Sequence, residues 1–327
     1  MIRIGLTLGA ALAVAWIGGG CAQPADCAPS TNTELSPVSA SDSVYVGIGD
    51  PYSVGSLSVR RHELDACEFD NAVPLLVLAP EAPGDYPVVV FQHGFVTRNE
   101  AYGEMLSHLA SHGFVVVAPQ MYEPGLSALL GRPTAIDEAQ QAAELLSWLP
   151  RGLATALGYA PATATLGLAG HSRGGYVAWL VLAGDPSRAQ AIAGVDPVGG
   201  TRDSSGNQTP PQLDLSDISV PTLVLGMGLS GDCAPAGANH NFFYDASRSP
   251  AWHAVLPDAG HADMLDESTA AAAVNVCPGG PDRDAIRRAT AGLLVAFFRG
   301  SLQGDASAYD SLSDAAGAPV TLEVESK

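Results

Sequence analysis

Short, nearly continuous apolar runs alternate along the chain with longer segments that are apolar on one face only. Leu75–Ala79, Val88–His93, Phe114–Pro119, Thr165–Gly170, Ala191–Asp196 and Thr222–Met227 are runs of the first kind. Such runs predict strands covered on both faces, as in a parallel sheet. Leu57–His62 and His253–Pro257 are further strand candidates flanking the series. Helical spacing of apolar residues predicts helices over Glu100–Ser111, Ala135–Leu149, Gly174–Ala183 and Arg283–Phe298, with Gly113 and Gly184 where C-caps belong. The alternation predicts an α/β fold, with a mostly parallel central sheet and helices on both faces. Residues 199–219 and 228–250 carry the Pro, Gly, Asn and Asp of long loops, which in such folds shape a binding site.

The ends of the chain read differently. Arg3, the apolar stretch Ile4–Ile17 and the small residues Gly18–Cys21 form an export signal over 1–21. Cys21 follows three glycines and resembles a bacterial lipoprotein cleavage site, where the cysteine becomes lipidated and tethers the chain to a membrane; cleavage shortly after it, giving a secreted protein, is the alternative. Residues 22–43 have the composition of a flexible tether, 44–300 form the expected catalytic domain, and 301–327 a short C-terminal tail. No later run is long and apolar enough to span a membrane, and no repeat is visible.

Composition narrows the partners. Of 327 residues, 47% are hydrophobic and 15% charged, which describes a globular chain. A net charge of −19 argues against nucleic acid and against electrostatic docking on anionic lipid. No protein partner is implied. With Cys21 set aside, Cys27, Cys67, Cys233 and Cys277 are an even set in an oxidising compartment, and the preferred pairing is Cys27–Cys67 with Cys233–Cys277. No spacing resembles a zinc knuckle, so no metal is expected.

The chemistry centres on Gly-His-Ser-Arg-Gly, residues 170–174, set between a strand-like run and a helix-like one. This is the spelling of a nucleophile elbow, with Ser172 at its apex and Gly170 and Gly174 relieving the crowding of a sharp turn. A serine hydroxyl needs a base, and the base needs a group to orient it. His261 lies just after the last predicted strand of the series. His62, His93, His108, His112 and His171 precede the serine, His253 lies within a strand, and His240 is the fallback. Two carboxylates compete as the third member: Asp196, ending the strand after the elbow helix, and Asp232, in the loop after the next strand. Spacing leaves them even. Two backbone N–H groups would stabilise an oxyanion, Arg173 after the serine and Phe95 in His93-Gly94-Phe95.

Several blocks together resemble the chlorophyllases, α/β hydrolases that cleave the phytyl ester of chlorophyll. They are Pro87–Phe95 (PVVVFQHGF), Ser111–Tyr122 (SHGFVVVAPQMY), Trp148–Leu153 (WLPRGL), Gly170–Gly175 (GHSRGG), Gly194–Val198 (GVDPV), Cys233–Pro235 with Asn239 and His240, and Gly260–Asp266 (GHADMLD). Cutinases and bacterial polyester hydrolases are more distantly similar. The resemblance implies that Ser172, Asp196 and His261 form a triad, the aspartate of the Asp-Pro-Val block being the acid. It implies a carboxylic ester hydrolase that works through an acyl-enzyme, without metal or organic cofactor, on a small or lipid-like ester. A cutinase, polyesterase or lipase is the alternative within enzymes, and a non-catalytic binding lipoprotein the alternative outside them.

Overall fold

The computed structural model describes residues 47, 49–67, 70–71, 73–129, 133–202, 208–209, 211, 213–313 and 317–327. The expected export signal, the tether, Cys21 and Cys27 lie outside the described residues. Strands follow in the order β1 (Val59–Leu64), β2 (Leu75–Pro80), β3 (Pro87–Gln92), β4 (Val115–Pro119), β5 (Ala162–His171), β6 (Ala191–Val195), β7 (Thr201–Arg202), β8 (Gln208–Thr209), β9 (Thr222–Met227), β10 (Ala251–Leu256) and β11 (Glu323–Ser326). The helices are α1 (Gly103–Ser111), α2 (Leu126–Leu129), α3 (Ala135–Leu157), α4 (Arg173–Gly184), α5 (His240–Ala246), α6 (Glu267–Ala273), α7 (Arg283–Leu302) and α8 (Asp310–Ser313).

Nine strands form one sheet in the order β1-β2-β4-β3-β5-β6-β9-β10-β11, and β7 and β8 pair as a separate ribbon. From β4 to β10 neighbouring strands are parallel; β1, β2 and β11 are antiparallel additions at the two edges. Side chains alternate between two cores, as strand periodicity requires. Val89 and Phe91 of β3 face one core, with α1 and α7, while Val88 and Val90 face the other, with α3, α4 and α5. This is the mostly parallel α/β sheet expected from the alternating pattern, and it is the α/β-hydrolase fold that the resemblance implies. Because the middle strands are parallel, the ends of β3, β5, β6, β9 and β10 open on one edge, where open α/β sheets bind their ligands.

Four departures from expectation bear on how the elements end and pack. Helix α3 runs through Pro150 to Leu157 rather than stopping at Leu149. Its buried Leu149, Gly152 and Leu153 keep the second half packed, and Gly158 closes it in the left-handed conformation at φ 74°. A Cβ on Gly152 would meet the Trp148 indole at 1.9 Å, so the glycine makes room for that ring. Gly113 has the expected positive φ of 86°, but Gly184 is the last helical residue, and extended Asp185 ends α4. The third departure is β1, which begins at Val59 rather than Leu57.

The fourth concerns the expected C-terminal tail. Residues after Ser301 supply α8 and the edge strand β11, which pairs with β10 through Trp252–Ser326 to Val255–Glu323. Tyr309 stacks on Trp252 with ring centroids 4.5 Å apart, and Leu312 is fully buried. No described helix is long and apolar enough to cross a membrane. Deleting residues 304–327 is expected to lower stability by about 3–5 kcal/mol, from the loss of Leu312 and Tyr309 burial, and to expose the β10 edge to aggregation. A urea unfolding midpoint equal to that of the full chain would show that the segment is dispensable.

Candidate active site

The turn out of β5 sets the position of Ser172. Its backbone sits at φ 53° and ψ −125°, a conformation that costs a non-glycine residue on the order of 1–3 kcal/mol. It persists because the neighbours over-determine it. The Ser172 N–H donates to the Val195 carbonyl at 3.0 Å, and the Val198 N–H donates to the Ser172 carbonyl at 3.0 Å. The flanking glycines are required by contact: a Cβ on Gly170 would lie 2.4 Å from the Gly174 backbone, and one on Gly174 would lie 2.2 Å from the Gln92 carbonyl oxygen. Ser172 therefore stands at the head of α4, at the carboxyl edge of the sheet.

His261 arrives from the loop after β10. Its Nε2 is 2.9 Å from the Ser172 hydroxyl oxygen and its Nδ1 is 2.6 Å from Asp196 Oδ2. A carboxylate only accepts, so Nδ1 carries the proton and Nε2 is free to accept from the serine. The loop is pinned by Asp263, whose carboxylate accepts from the Gly260 and Gly280 N–H groups, each at 2.6 Å.

Asp196 is wholly buried at the end of β6, with a φ of 41°. Its Oδ1 accepts from the Met227 N–H at 3.2 Å, and its Oδ2 from the Ser230 hydroxyl at 2.5 Å. Burial alone would raise its pKa; the hydrogen bond and charge of His261, the Ser230 hydroxyl and nearby His240 together hold it below the ordinary carboxylate value. Asp232 stands exposed in the single turn Gly231–Cys233, so the residue that reaches the imidazole is Asp196. His240 is used elsewhere: its Nδ1 lies 2.7 Å from His253 Nε2, and His253 Nδ1 lies 2.8 Å from Glu325.

The loop after β3 packs beside the elbow. The Thr97 N–H closes a turn on the Gly94 carbonyl at 3.2 Å, and Val96 within it has a φ of 56°, a costly value for a β-branched residue. The Gly94 N–H donates to Tyr102 Oη at 2.9 Å and the Val96 N–H to Tyr122 Oη at 3.0 Å. Between them, the Phe95 N–H has no acceptor among the described residues, and neither has the Arg173 N–H in the first turn of α4. Among the described residues, four non-glycines have positive φ, and Val96, Ser172 and Asp196 are three of them.

Comparison with known proteins sets this geometry in a family. The sequence profile of the family described as Chlorophyllase matches residues 48–327. The chain belongs to the chlorophyllase family. Chlorophyllase-2 of Arabidopsis thaliana is 35% identical over 276 residues, covering 77% of this chain and 84% of the relative. Chlorophyllase-1, chloroplastic, of Citrus sinensis is 33% identical over 318 residues, covering 91% and 93% respectively. Chlorophyllase type 0 of Chenopodium album is 32% identical, with 83% and 82% covered. As a member of the chlorophyllase family this chain is a carboxylic ester hydrolase of the α/β-hydrolase type.

The cysteines that flank the site follow the expected pattern in part. Cys233 and Cys277 are disulfide-bonded, joining the loop after β9 to the segment after α6. Cys67 is also in a disulfide.

Three residues escaped the reading of the sequence. His171 precedes the serine in the chain, yet its ring ties the site together. Its Nε2 donates to the His261 carbonyl at 2.8 Å, and its Nδ1 accepts from the Tyr102 hydroxyl at 2.8 Å. One buried chain thus runs from the Gly94 N–H through Tyr102 and His171 to the backbone of His261. Ser230, on Asp196, is the third. No periodicity or spacing marks such residues; only the folded packing does.

Burial pushes the His171 pKa down to about 3, reinforced by nearby His261, and pushes His93 down to about 4. Both rings stay neutral in the native state at pH values where the unfolded chain binds protons. Their contribution is complete above about pH 6.5 and is lost as the pH falls toward the native values. Unfolding free energy measured in urea is expected to fall by about 2 kcal/mol for each ring between pH 7 and pH 5. NMR signals showing either ring protonated in the native protein at pH 5 would contradict this.

Proposed function

We propose that Ser172 is the nucleophile, His261 the general base and Asp196 the residue that orients and charges the base. The hydrogen-bonded line from Ser172 Oγ through the imidazole to Asp196 Oδ2 carries this reading. In the reaction, His261 Nε2 takes the serine proton as Oγ bonds to the ester carbonyl carbon. The resulting oxyanion is held by the Phe95 and Arg173 N–H groups. The carbon–oxygen bond to the alcohol then breaks, and His261 returns the proton to the departing alkoxide. Water, deprotonated by the same imidazole, attacks the acyl-enzyme and releases the carboxylic acid and Ser172. No metal or organic cofactor enters these steps.

For the substrate we propose an ester of a long-chain alcohol, with the phytyl ester of chlorophyll as the leading case. The names of the relatives support this, as do the exposed apolar side chains of Phe95, Leu126, Ile136 and Leu229 on segments that follow β3, β4 and β9. We also propose that the protein is exported, held at a membrane by a lipidated Cys21 or secreted. Disulfide-bonded Cys67, Cys233 and Cys277 support an oxidising compartment. A mature N-terminus at an acylated Cys21, read by mass spectrometry in the native host, is the expected result. An intact Met1 would rule export out.

Hydrolysis of chlorophyll a, beside p-nitrophenyl butyrate as control, tests the main reading. Wild type should release chlorophyllide, and Ser172→Ala should lower turnover of both esters by about 10⁶-fold. Asp196→Asn should cost about 10⁴-fold while Asp232→Asn stays near wild type; the reverse order would reassign the acid. Butyrate cleavage without chlorophyllide would leave the chemistry intact and turn the substrate search to lipids and polyesters. A Ser172→Ala protein with normal turnover would remove the mechanism altogether.

A further inference from the structure

The side chain of Arg173 has no part in the chemistry above, although its backbone N–H does. It reaches from the head of α4 to the first turn of α3. There its Nε donates to Glu138 Oε1 at 2.7 Å, and its Nη2 lies 2.5 Å from the same oxygen and donates to the Pro133 carbonyl at 2.5 Å. The Glu138 carboxylate is only 1% exposed and the Arg173 side chain 20%. Holding a carboxylate there has a cost: burial raises Glu138 to about 7 against the opposing pull of Arg173. The first turn that carries Glu138 is itself anchored, because Thr134 and Asp137 form a reciprocal capping box.

The guanidinium has a second face. Its central carbon lies 5.4 Å from the centre of the Phe95 ring, within the range of cation–π attraction. Phe95 is 42% exposed. The backbone on either side of Phe95 is fastened by the two tyrosine hydroxyls, through Gly94 and Val96. The Phe95 N–H between them is set by how the turn sits against the elbow, and the Arg173 guanidinium is the contact that joins turn to elbow through Phe95 itself.

We propose that Glu138 and Arg173 are positioning residues for the oxyanion site, the buried carboxylate aiming the guanidinium so that it holds the Phe95 turn against the head of α4. This rests on the proposed role of the Phe95 and Arg173 N–H groups. The pair acts on the geometry in which the transition state is bound and leaves ground-state binding almost untouched, so its signature lies in kcat rather than KM. A guanidinium can satisfy Glu138, the Pro133 carbonyl and a ring face at once because it is planar and carries several donors. An ammonium cannot do all three.

The experiment compares wild type, R173K, E138Q and the double variant E138M/R173M on p-nitrophenyl butyrate, with melting temperature measured for each. The double variant leaves no stranded buried charge, so it should melt close to wild type. Its kcat should nevertheless fall by about 10- to 100-fold with KM within about twofold. R173K keeps the cation and the fold and should lose about 10-fold in kcat, whereas E138Q retains an acceptor oxygen and should recover most of the activity. Recovery of kcat along with melting temperature in the double variant would make the pair purely structural and overturn the proposal. So would wild-type kcat in R173K, which decides the matter if the double variant does not fold. Failure of the underlying mechanism would look different: wild type and Ser172→Ala would then be equally active or equally inert.

Discussion

Everything at this site depends on holding Ser172 in a backbone conformation that a serine does not choose. The chain meets that cost with two hydrogen bonds, one on each side of Ser172, both to the segment that carries Asp196. Ser172 and the segment carrying Asp196, the proposed nucleophile and acid, are therefore fastened backbone to backbone before any side chain meets. Asp196 is itself at a positive φ, just ahead of Pro197, so the strain in the two turns is mutual. The glycines follow from the same constraint. Gly170 and Gly174 allow β5 to turn into α4 against the end of β3, with no space left for even one methyl group.

Around that turn, imidazoles serve two physical purposes. His261 is placed between a hydroxyl and a carboxylate, where a proton can be taken up and returned. His171 and His93 are desolvated and uncharged, and they act as rigid hydrogen-bonding spacers. His93 Nε2 accepts from the Met121 N–H at 3.1 Å, tying the chain after β4 to the loop after β3. What separates the two roles is the partner. His261 has a carboxylate oxygen at 2.6 Å, whereas the rings of His171 and His93 meet carbonyl, hydroxyl and N–H groups. Membership of the chlorophyllase family is consistent with this economy, since ester hydrolysis needs one mobile proton and a fixed pair of N–H donors.

Much of this was legible in the sequence. Continuous valine and leucine runs mark strands buried on both faces, and eight of the nine sheet strands follow from them or from their flanking candidates. The elbow is legible because its geometry demands glycine at particular places. His261 is legible from its position after the last parallel strand. The ninth strand, Glu323–Ser326, is not, because an edge strand largely exposed to water has no apolar run to announce it. Helix α3 outruns its expected end because packing of Leu153 and the Gly158 cap outweigh one proline.

By itself the sequence determined the layers of the fold and marked the elbow, with Ser172 at its apex and His261 as the candidate base. Local sterics and strand periodicity set each of these, and both are written in neighbouring residues. It could not choose between Asp196 and Asp232 by spacing; family resemblance favoured Asp196, and the tertiary structure put that carboxylate on the imidazole. The same is true of Tyr102, His171, Glu138 and Ser230. Their roles consist of hydrogen bonds to residues distant in the chain.

The partners lie far apart in the chain: 90 residues separate His171 from His261, 69 separate Tyr102 from His171, 35 separate Glu138 from Arg173 and 34 separate Ser230 from Asp196. Contacts at that range form only when the sheet brings strand ends to one edge, and there burial and geometry decide which polar groups meet.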